Sequence, residues 1–374
     1  SSSGLLARGS EKLTKFLCCS HIKGEGANHV CDAWPRLLAD LEELAEGIEL
    51  GGNAWHFVLL FAKADQETHV NAWGLPSYNA AHEVCSECLA NRSTRPFTDL
   101  TRGASWRLTE RLTFGVYAAR LRDPLHPLAA SRFFTRWLMF LDLMHLADCR
   151  GFTALVFGGV LGLMMASRGL GPNREARLRF INAAMRTWYM EHPGTNRLPR
   201  LRMGNLTIDD WCELHGPNVK AANTRAAAPL FAALTRRFLT GDAPTETAAR
   251  ALTNYLEEFY RVLYTPPMFM EQGAIERLRI VCEEMGFHYQ ALREYSRQRG
   301  VLAFNVKPKA HKIQHVPMLC EVMNPRCVQC YGEESLIGTT TKVYKRSMSG
   351  RYERGVQRVV LAKRLLGLCV RLEP

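Results

Sequence analysis

The chain has 374 residues, of which 47% are hydrophobic, and it carries a formal net charge of +12. This length gives room for two domains, or for one large domain with an insertion, and for a sizeable buried core. Twelve cysteines in a chain of this size, without a signal-peptide pattern at Ser1, exclude a small disulfide-stabilised secreted fold and predict reduced thiols in an intracellular protein.

The first elements along the chain are a helix and a strand. Residues 34–50 repeat apolar side chains at helical spacing. The short aromatic run at 55–62 predicts a buried strand, and Asp65 follows it directly. After a Gly- and Pro-rich stretch, we expect loops and short strands near 84–90 and 106–116. Residues 132–141 predict a helix that runs into a strand, and Asp142 follows directly.

The middle of the chain predicts helices. Sixteen uncharged residues, 152–167, lie between Arg150 and Arg168. They fall short of the roughly 18–20 apolar residues that span a bilayer, so we expect a buried helix and no membrane partner. Amphipathic segments at 176–190, 226–239, 245–264 and 270–298 predict an all-helical block, and two further helices are expected at 334–348 and 352–372.

Three acidic residues follow core-like segments and are candidate metal ligands. They are Asp65, Asp142 and Glu334. Carboxylates brought together from distant segments can hold two divalent cations about 3.5–4 Å apart and stabilise both oxygens of an in-line phosphoryl displacement. The spacing Asp142-x-x-His145 adds an imidazole that can orient the carboxylate, although a helix-capping Asp with a core His has the same pattern.

Three motifs carry a resemblance to a known family. The Asp142-x-x-His145 motif with its apolar helix, the segment 307–315 (KPKAHKIQH) and the segment 330–334 (CYGEE) are similar to the core of eukaryotic cut-and-paste transposases of the CACTA and Kyakuja-Dileera-Zisupton type. The resemblance implies an α/β fold, an RNase H-like mixed sheet flanked by helices and interrupted by a large all-α insertion. It divides the chain into a lead-in with a helix (1–50), the first part of the core (51–170), the insertion (171–300) and the C-terminal part of the core (301–374).

The resemblance also implies an activity. Asp65, Asp142 and Glu334 would hold two Mg²⁺ or Mn²⁺ ions for DNA cleavage and strand transfer, with His145 assisting. The resemblance further implies a nuclear location and is compatible with a homo-oligomer. The family often has Lys-Gly-Asp-Trp at the first acid, where this chain has Lys63-Ala64-Asp65-Gln66. Two alternatives therefore stay open: a catalytically inactive, transposon-derived DNA-binding protein, and a zinc-stabilised helical interaction protein.

The excess positive charge is concentrated in the C-terminal fifth. Residues 301–374 hold thirteen Lys and Arg against five Glu, and a basic surface beside a metal site favours DNA as partner. The sequence has neither a Gly-x-Ser-x-Gly elbow nor a P-loop, and we expect no small-molecule cofactor. The candidate DNA-binding residues, which also fit a solvated basic face, are Lys342, Lys345, Arg346, Arg351, Arg354 and Arg358.

A second kind of metal site is indicated by cysteine and histidine spacing. Cys85-x-x-Cys88 is half of a zinc site, and His311-x-x-x-His315 has the spacing of a second half. Cys327-x-x-Cys330 is a rival partner for the first pair, and buried free thiols with a structural His pair are the alternative to zinc. A site built from Cys85, Cys88, His311 and His315 would have to be assembled by tertiary folding.

Overall fold

The computed structural model describes residues 28–56, 62–64, 82–110, 127–135, 139–206 and 213–331, together with positions 70, 75, 80, 115 and 118. Asp65, Glu334, the six candidate DNA-binding residues and the two predicted C-terminal helices lie outside the described residues. The described helices are α1 (Asn28–Glu46), α2 (Pro127–Ala130), α3 (Phe152–Ala166), α4 (Arg174–Glu191), α5 (Ala221–Ala226), α6 (Ala228–Phe238), α7 (Pro244–Tyr264), α8 (Gln272–Gln298), α9 (Pro308–Lys312) and α10 (Val316–Cys320), and the strands are β1 (Ile48–Leu50), β2 (Asn53–Trp55), β3 (Ala62–Ala64) and β4 (Met139–Leu141).

The chain divides into two compact units, one formed by residues 1–58 with 329–374 and the other by residues 59–328. In the first unit, α1 precedes the antiparallel pair β1–β2, in which Leu50 faces Asn53. Gly51 and Gly52 connect the strands with φ values of 60° and 76°. Two positive φ angles are what the tight turn of a two-residue hairpin demands, and glycine adopts them without steric cost.

The core of the second unit is built around α3. Twelve of its fifteen residues are buried, so this helix is apolar on every side. Phe157 stacks on Phe231 of α6 with ring centroids 3.6 Å apart, and α8 packs along α7. The segment Met144–Ala166 is long and apolar enough to cross a bilayer, but 72% of its most apolar window is buried inside the fold. The buried helix predicted at 152–167 is therefore confirmed.

The other predicted helices of the middle region are also found. The segments 176–190, 245–264 and 270–298 correspond to α4, α7 and α8, and 226–239 corresponds to α6 after a break at Ala227. The break follows the short helix α5, and Pro229 lies in the first turn of α6, where its missing N–H removes no helical hydrogen bond.

The predicted RNase H-like mixed sheet is wrong. The described part of the chain is 60% helical and only 4% strand, and its four strands form two separate two-stranded pairs of three residues each. Short apolar runs do not distinguish a strand from a turn or a buried helix, which is why the expectation failed. Of the expected strand region at 106–116, Trp106 instead lies in a 3₁₀ turn, Ser105–Thr109.

The register of the second strand pair brings the last residues of its two strands together. Strands β3 and β4 are parallel, and Ala64 pairs with Leu141. In the sequence, Asp65 follows Ala64 and Asp142 follows Leu141. The last residues of the two strands are therefore neighbours, and an aspartate comes next in the sequence after each.

Candidate metal centre

The first half of the centre is a short loop that contains Cys85 and Cys88. The Val84 N–H donates to the Ala90 carbonyl at 3.1 Å and closes the loop. The Glu87 N–H donates to Cys85 Sγ at 3.3 Å, a contact that favours the thiolate form. Both cysteine side chains are buried in this loop.

The second half lies on a nearly continuous helical segment, residues 308–320, which consists of α9, the 3₁₀ turn Ile313–His315 and α10. Lys307 precedes the segment and Pro308 occupies its first position, where proline fits because no helical N–H is needed there. His311 and His315 are four residues apart, so they share one face of the segment. Both rings are fully buried.

These two halves meet and form what we call the Cys2His2 cluster: Cys85, Cys88, His311 and His315. One ligand atom from each residue lies within 4.8 Å of the others. His311 Nε2 is 3.3 Å from Cys88 Sγ and 3.2 Å from His315 Nε2. Around a tetrahedral zinc ion, Zn–S bonds of about 2.3 Å and Zn–N bonds of about 2.0–2.1 Å place two nitrogens roughly 3.3 Å apart and a nitrogen and a sulfur roughly 3.6 Å apart. The separations of His311 Nε2 from His315 Nε2 and from Cys88 Sγ are close to these values, and the other ligand atoms lie within 4.8 Å of one another.

A carboxylate stands behind one of the histidines. Glu110 Oε1 lies 3.0 Å from His315 Nδ1, an ion-pair distance, although the ring N–H is not aligned on it as a hydrogen bond. A carboxylate at Nδ1 keeps the proton on that nitrogen and leaves the Nε2 lone pair for a metal. The ring of Trp106 contacts both imidazoles edge to face, with centroids 4.4 Å from His311 and 5.2 Å from His315.

Without a metal, the cluster contains an ion pair between the Cys85 thiolate and the protonated ring of His315. Burial opposes ionisation of Cys85, but hydrogen bonding with Cys88 and the charges of the two imidazoles hold its pKa well below the usual value for a thiol. Burial also opposes the charged form of His315, yet Cys85 and Glu110 together raise its pKa to about 10. Burial and the Cys85 charge raise the pKa of the Cys88 thiol, and burial lowers the pKa of His311.

The 82–110 loop, which contains both cysteines, is held to the rest of the second unit by polar contacts. The Leu100 N–H donates to Gln290 Oε1 of α8 at 2.7 Å. The guanidinium of Arg107 donates to Gln314 Oε1 at 2.8 Å, and Gln314 Nε2 donates to the Cys282 carbonyl at 2.8 Å. A side chain at Gly286 would meet the Leu100 carbonyl at 2.7 Å, so only glycine allows α8 this close to the loop.

The structure selects between the two rival halves of the predicted zinc site. The His pair is a member of the cluster, while Cys327 and Cys330 are not among its members. Sequence reasoning missed Glu110 and Trp106, since neither stands at a metal-ligand spacing.

Asp142 is placed as a buried capping residue beside β4. Its Oδ1 accepts from the Met144 N–H at 3.2 Å and its Oδ2 from the His145 N–H at 3.3 Å, at the start of the π-helical turn Met144–Asp148. The His145 ring also contacts Oδ2 through Nδ1. Asp142 and His145 therefore meet, as the spacing predicted. The convergence of Asp142 with Asp65 and Glu334 concerns residues outside the described part of the chain.

A second buried polar network follows the same turn. Tyr260 of α7 donates its hydroxyl to Asp148, and Thr153 Oγ1 lies 2.6 Å from the same hydroxyl. All three side chains are buried. This network anchors the end of the π-helical turn to α7, which fixes the position of Asp142 and His145 one turn earlier.

No protein-family model matches the chain, and no curated protein matches it either. Its function is therefore argued from the geometry of the two candidate sites.

Proposed function

We propose that the chain binds one Zn²⁺ ion through the Cys2His2 cluster, and that this ion has a structural role in a largely helical protein. The observation that carries the proposal is the convergence of four buried ligand atoms within 4.8 Å of one another, with His311 Nε2 at 3.2 and 3.3 Å from two of the others. Two thiols and two imidazoles form a donor set that suits zinc among the common divalent ions.

The surroundings support a structural rather than a catalytic role. A structural zinc site has four protein ligands, whereas a catalytic site keeps one position open for water or substrate. All four ligands here are at most 1% exposed. Zinc would join the 82–110 loop to the 308–320 segment, two parts of the chain that are far apart in sequence. Its binding energy would therefore add to the stability of the second unit.

The first test is zinc content. Purified protein is expected to hold about one zinc per chain, because the four ligands complete one tetrahedral site. Cys88→Ser is expected to abolish stoichiometric zinc, whereas Cys282→Ser, which changes a buried free cysteine outside the cluster, should leave it unchanged. The measurement is elemental analysis after gel filtration. Equal zinc in both variants contradicts the proposed ligand set.

Glu110 provides a test of the ligand orientation. Glu110→Gln removes the carboxylate charge beside His315 Nδ1 while keeping its size. We expect zinc affinity to fall about 10–100-fold, which is the usual effect of changing a residue that orients a metal-bound His. Competition with a chromophoric chelator measures it. Glu83→Gln, a partly buried carboxylate in the same loop region, is the control. Unchanged affinity in Glu110→Gln means that Glu110 does not orient the ring.

Proton release gives a test of the charge arrangement. Near pH 7.5 the metal-free cluster holds a proton on Cys88 and a second on His315, whose pKa is raised to about 10. Zinc needs a thiolate and a neutral imidazole, so binding is expected to release about two protons, and affinity should fall as the pH is lowered. Calorimetry in buffers of different ionisation enthalpy counts these protons. Zinc binding without proton release would contradict this arrangement.

As a second function we propose metal-dependent cleavage and transfer of DNA strands, with Asp65, Asp142 and Glu334 as metal ligands. The observation in its favour is the parallel register of Ala64 and Leu141, since the following residues in sequence are both aspartates. Asp142 also has His145 in contact. A carboxylate held by such hydrogen bonds has a fixed orientation, as metal ligands generally do.

Asp142→Asn tests this second function, because the amide oxygen can still cap the π-helical turn while the charge is lost. With Mn²⁺ and supercoiled plasmid, we expect nicking to slow by about a hundredfold or more, the loss of a metal ligand costing several kcal/mol in the transition state. Asp242→Asn serves as the control, because it makes the same change at an exposed carboxylate outside this turn. Nicking that survives Asp142→Asn, or no metal-dependent nicking by the unsubstituted chain, contradicts the proposal.

A further inference from the structure

A run of arginines lies in α4 and the segment that follows it. Residues 174–202 contain seven arginines, no lysine and no aspartate, and only two glutamates. Helix α4 buries one side, centred on Leu178, Ile181 and Met185. Arg177, at the start of this side, is half-buried and donates to the Gly171 and Met165 carbonyls. Arg179 and Arg186 lie on the opposite side, and further arginines lie in the segment 197–202.

That segment runs back along α4 and is fixed to it by side chains of the helix. Asn182 accepts from the Leu201 N–H and donates to the Leu201 carbonyl, both at 2.9 Å. The Leu198 N–H donates to the Tyr189 hydroxyl at 2.9 Å. The helix positions decrease from 189 to 182 while the segment positions increase from 198 to 201. Seven helical residues and three extended residues both span about 10 Å, so the two run antiparallel in step.

This geometry brings four arginines together. Arg179 and Arg186 are two helical turns apart, so they share one face of α4, next to Asn182. Arg200 and Arg202 flank Leu201, whose backbone is bound to Asn182. All four side chains are exposed. We call this set (Arg179, Arg186, Arg200 and Arg202) the arginine surface.

Some other exposed arginines of the described chain are paired with glutamates. Arg102 contacts two glutamates of α8, and Arg277 pairs with Glu258. No member of the arginine surface forms a salt bridge within the described residues. Four unneutralised guanidinium groups along two antiparallel rows repel one another, and an extended polyanion would relieve this repulsion.

We propose that the arginine surface binds the phosphodiester backbone of a nucleic acid. Guanidinium groups bind phosphate oxygens through two parallel hydrogen bonds, and every charge here is an arginine. The row on α4 extends over about 10 Å and the Arg200–Arg202 row over about 7 Å, which a single phosphate cannot span but a strand with a phosphate about every 3.4 Å of duplex axis can. This face of α4 presents Asn182 and Ala183 between Arg179 and Arg186, and one exposed apolar side chain, Met190, beyond them, which is less than the broad apolar face that inserts into a bilayer.

This inference is independent of zinc and of strand cleavage, and it uses none of the basic residues at 342–358. The test compares two double variants of the full chain. Arg186→Glu with Arg200→Glu reverses two members of the arginine surface. Arg297→Glu with Arg299→Glu makes the same change in charge at the exposed end of α8. Thermal melting by circular dichroism establishes that both are folded, and Arg186→Gln with Arg200→Gln replaces the first if it is not.

Fluorescence anisotropy with single-stranded DNA, duplex DNA and single-stranded RNA gives the readout between about 50 and 200 mM salt. We expect the arginine-surface variant to lose about tenfold or more in affinity, and its log–log salt slope on duplex DNA to flatten by about 1.8, or 0.9 for each lost contact. The α8 variant should keep the original slope. The relative losses on the three probes identify the nucleic acid.

Three results would overturn the proposal. The first is equal weakening by both double variants, which would mean that only net charge matters. The second is unchanged binding by the arginine-surface variant. The third is binding of the unsubstituted chain to anionic phospholipid vesicles or to poly-glutamate as tightly as to nucleic acid, which would assign the surface to a membrane or to an acidic protein.

Discussion

The contact between the cysteine loop and the histidine segment is the constraint on which the second unit depends. Cys88 and His311 are separated by 223 positions in sequence, yet their ligand atoms are 3.3 Å apart. Bringing the two ends of so long a stretch together costs conformational entropy, although this cost grows only slowly with length. Burying four polar side chains at the contact adds a desolvation cost, which a favourable interaction has to offset. In the proposed function, a zinc ion bound by the Cys2His2 cluster would supply that favourable interaction where the loop and the 308–320 segment meet.

The packing around this contact explains why the loop has little regular structure of its own. Its backbone is held in place by the two cysteines and by hydrogen bonds to Gln290 and Gln314, rather than by a ladder of strand hydrogen bonds. Trp106, fully buried, covers the imidazoles, and its indole N–H donates to the Asp99 carbonyl at 2.7 Å. The loop is therefore shaped by side-chain contacts to distant parts of the chain, which local sequence patterns do not encode.

This difference explains how much the sequence could predict. The helices α3, α4, α7 and α8 follow from the periodicity of apolar residues, which is a local property. The pairing of the two cysteines with the two histidines was one of two combinations that spacing allowed, and only tertiary structure selects between them. The RNase H-like sheet was inferred from short apolar runs and a patchy resemblance, and those runs are also compatible with turns and buried helices. Glu110 gave no signal, because its role depends on where His315 lies in space.

The central claim is that a single zinc ion is bound by Cys85, Cys88, His311 and His315. X-ray absorption at the zinc edge of the purified full chain tests it most directly, because it counts the sulfur and nitrogen neighbours of the metal. The account predicts two sulfurs at about 2.3 Å and two imidazole nitrogens at about 2.0–2.1 Å. A spectrum with only oxygen and nitrogen neighbours, or with four sulfurs, would contradict it.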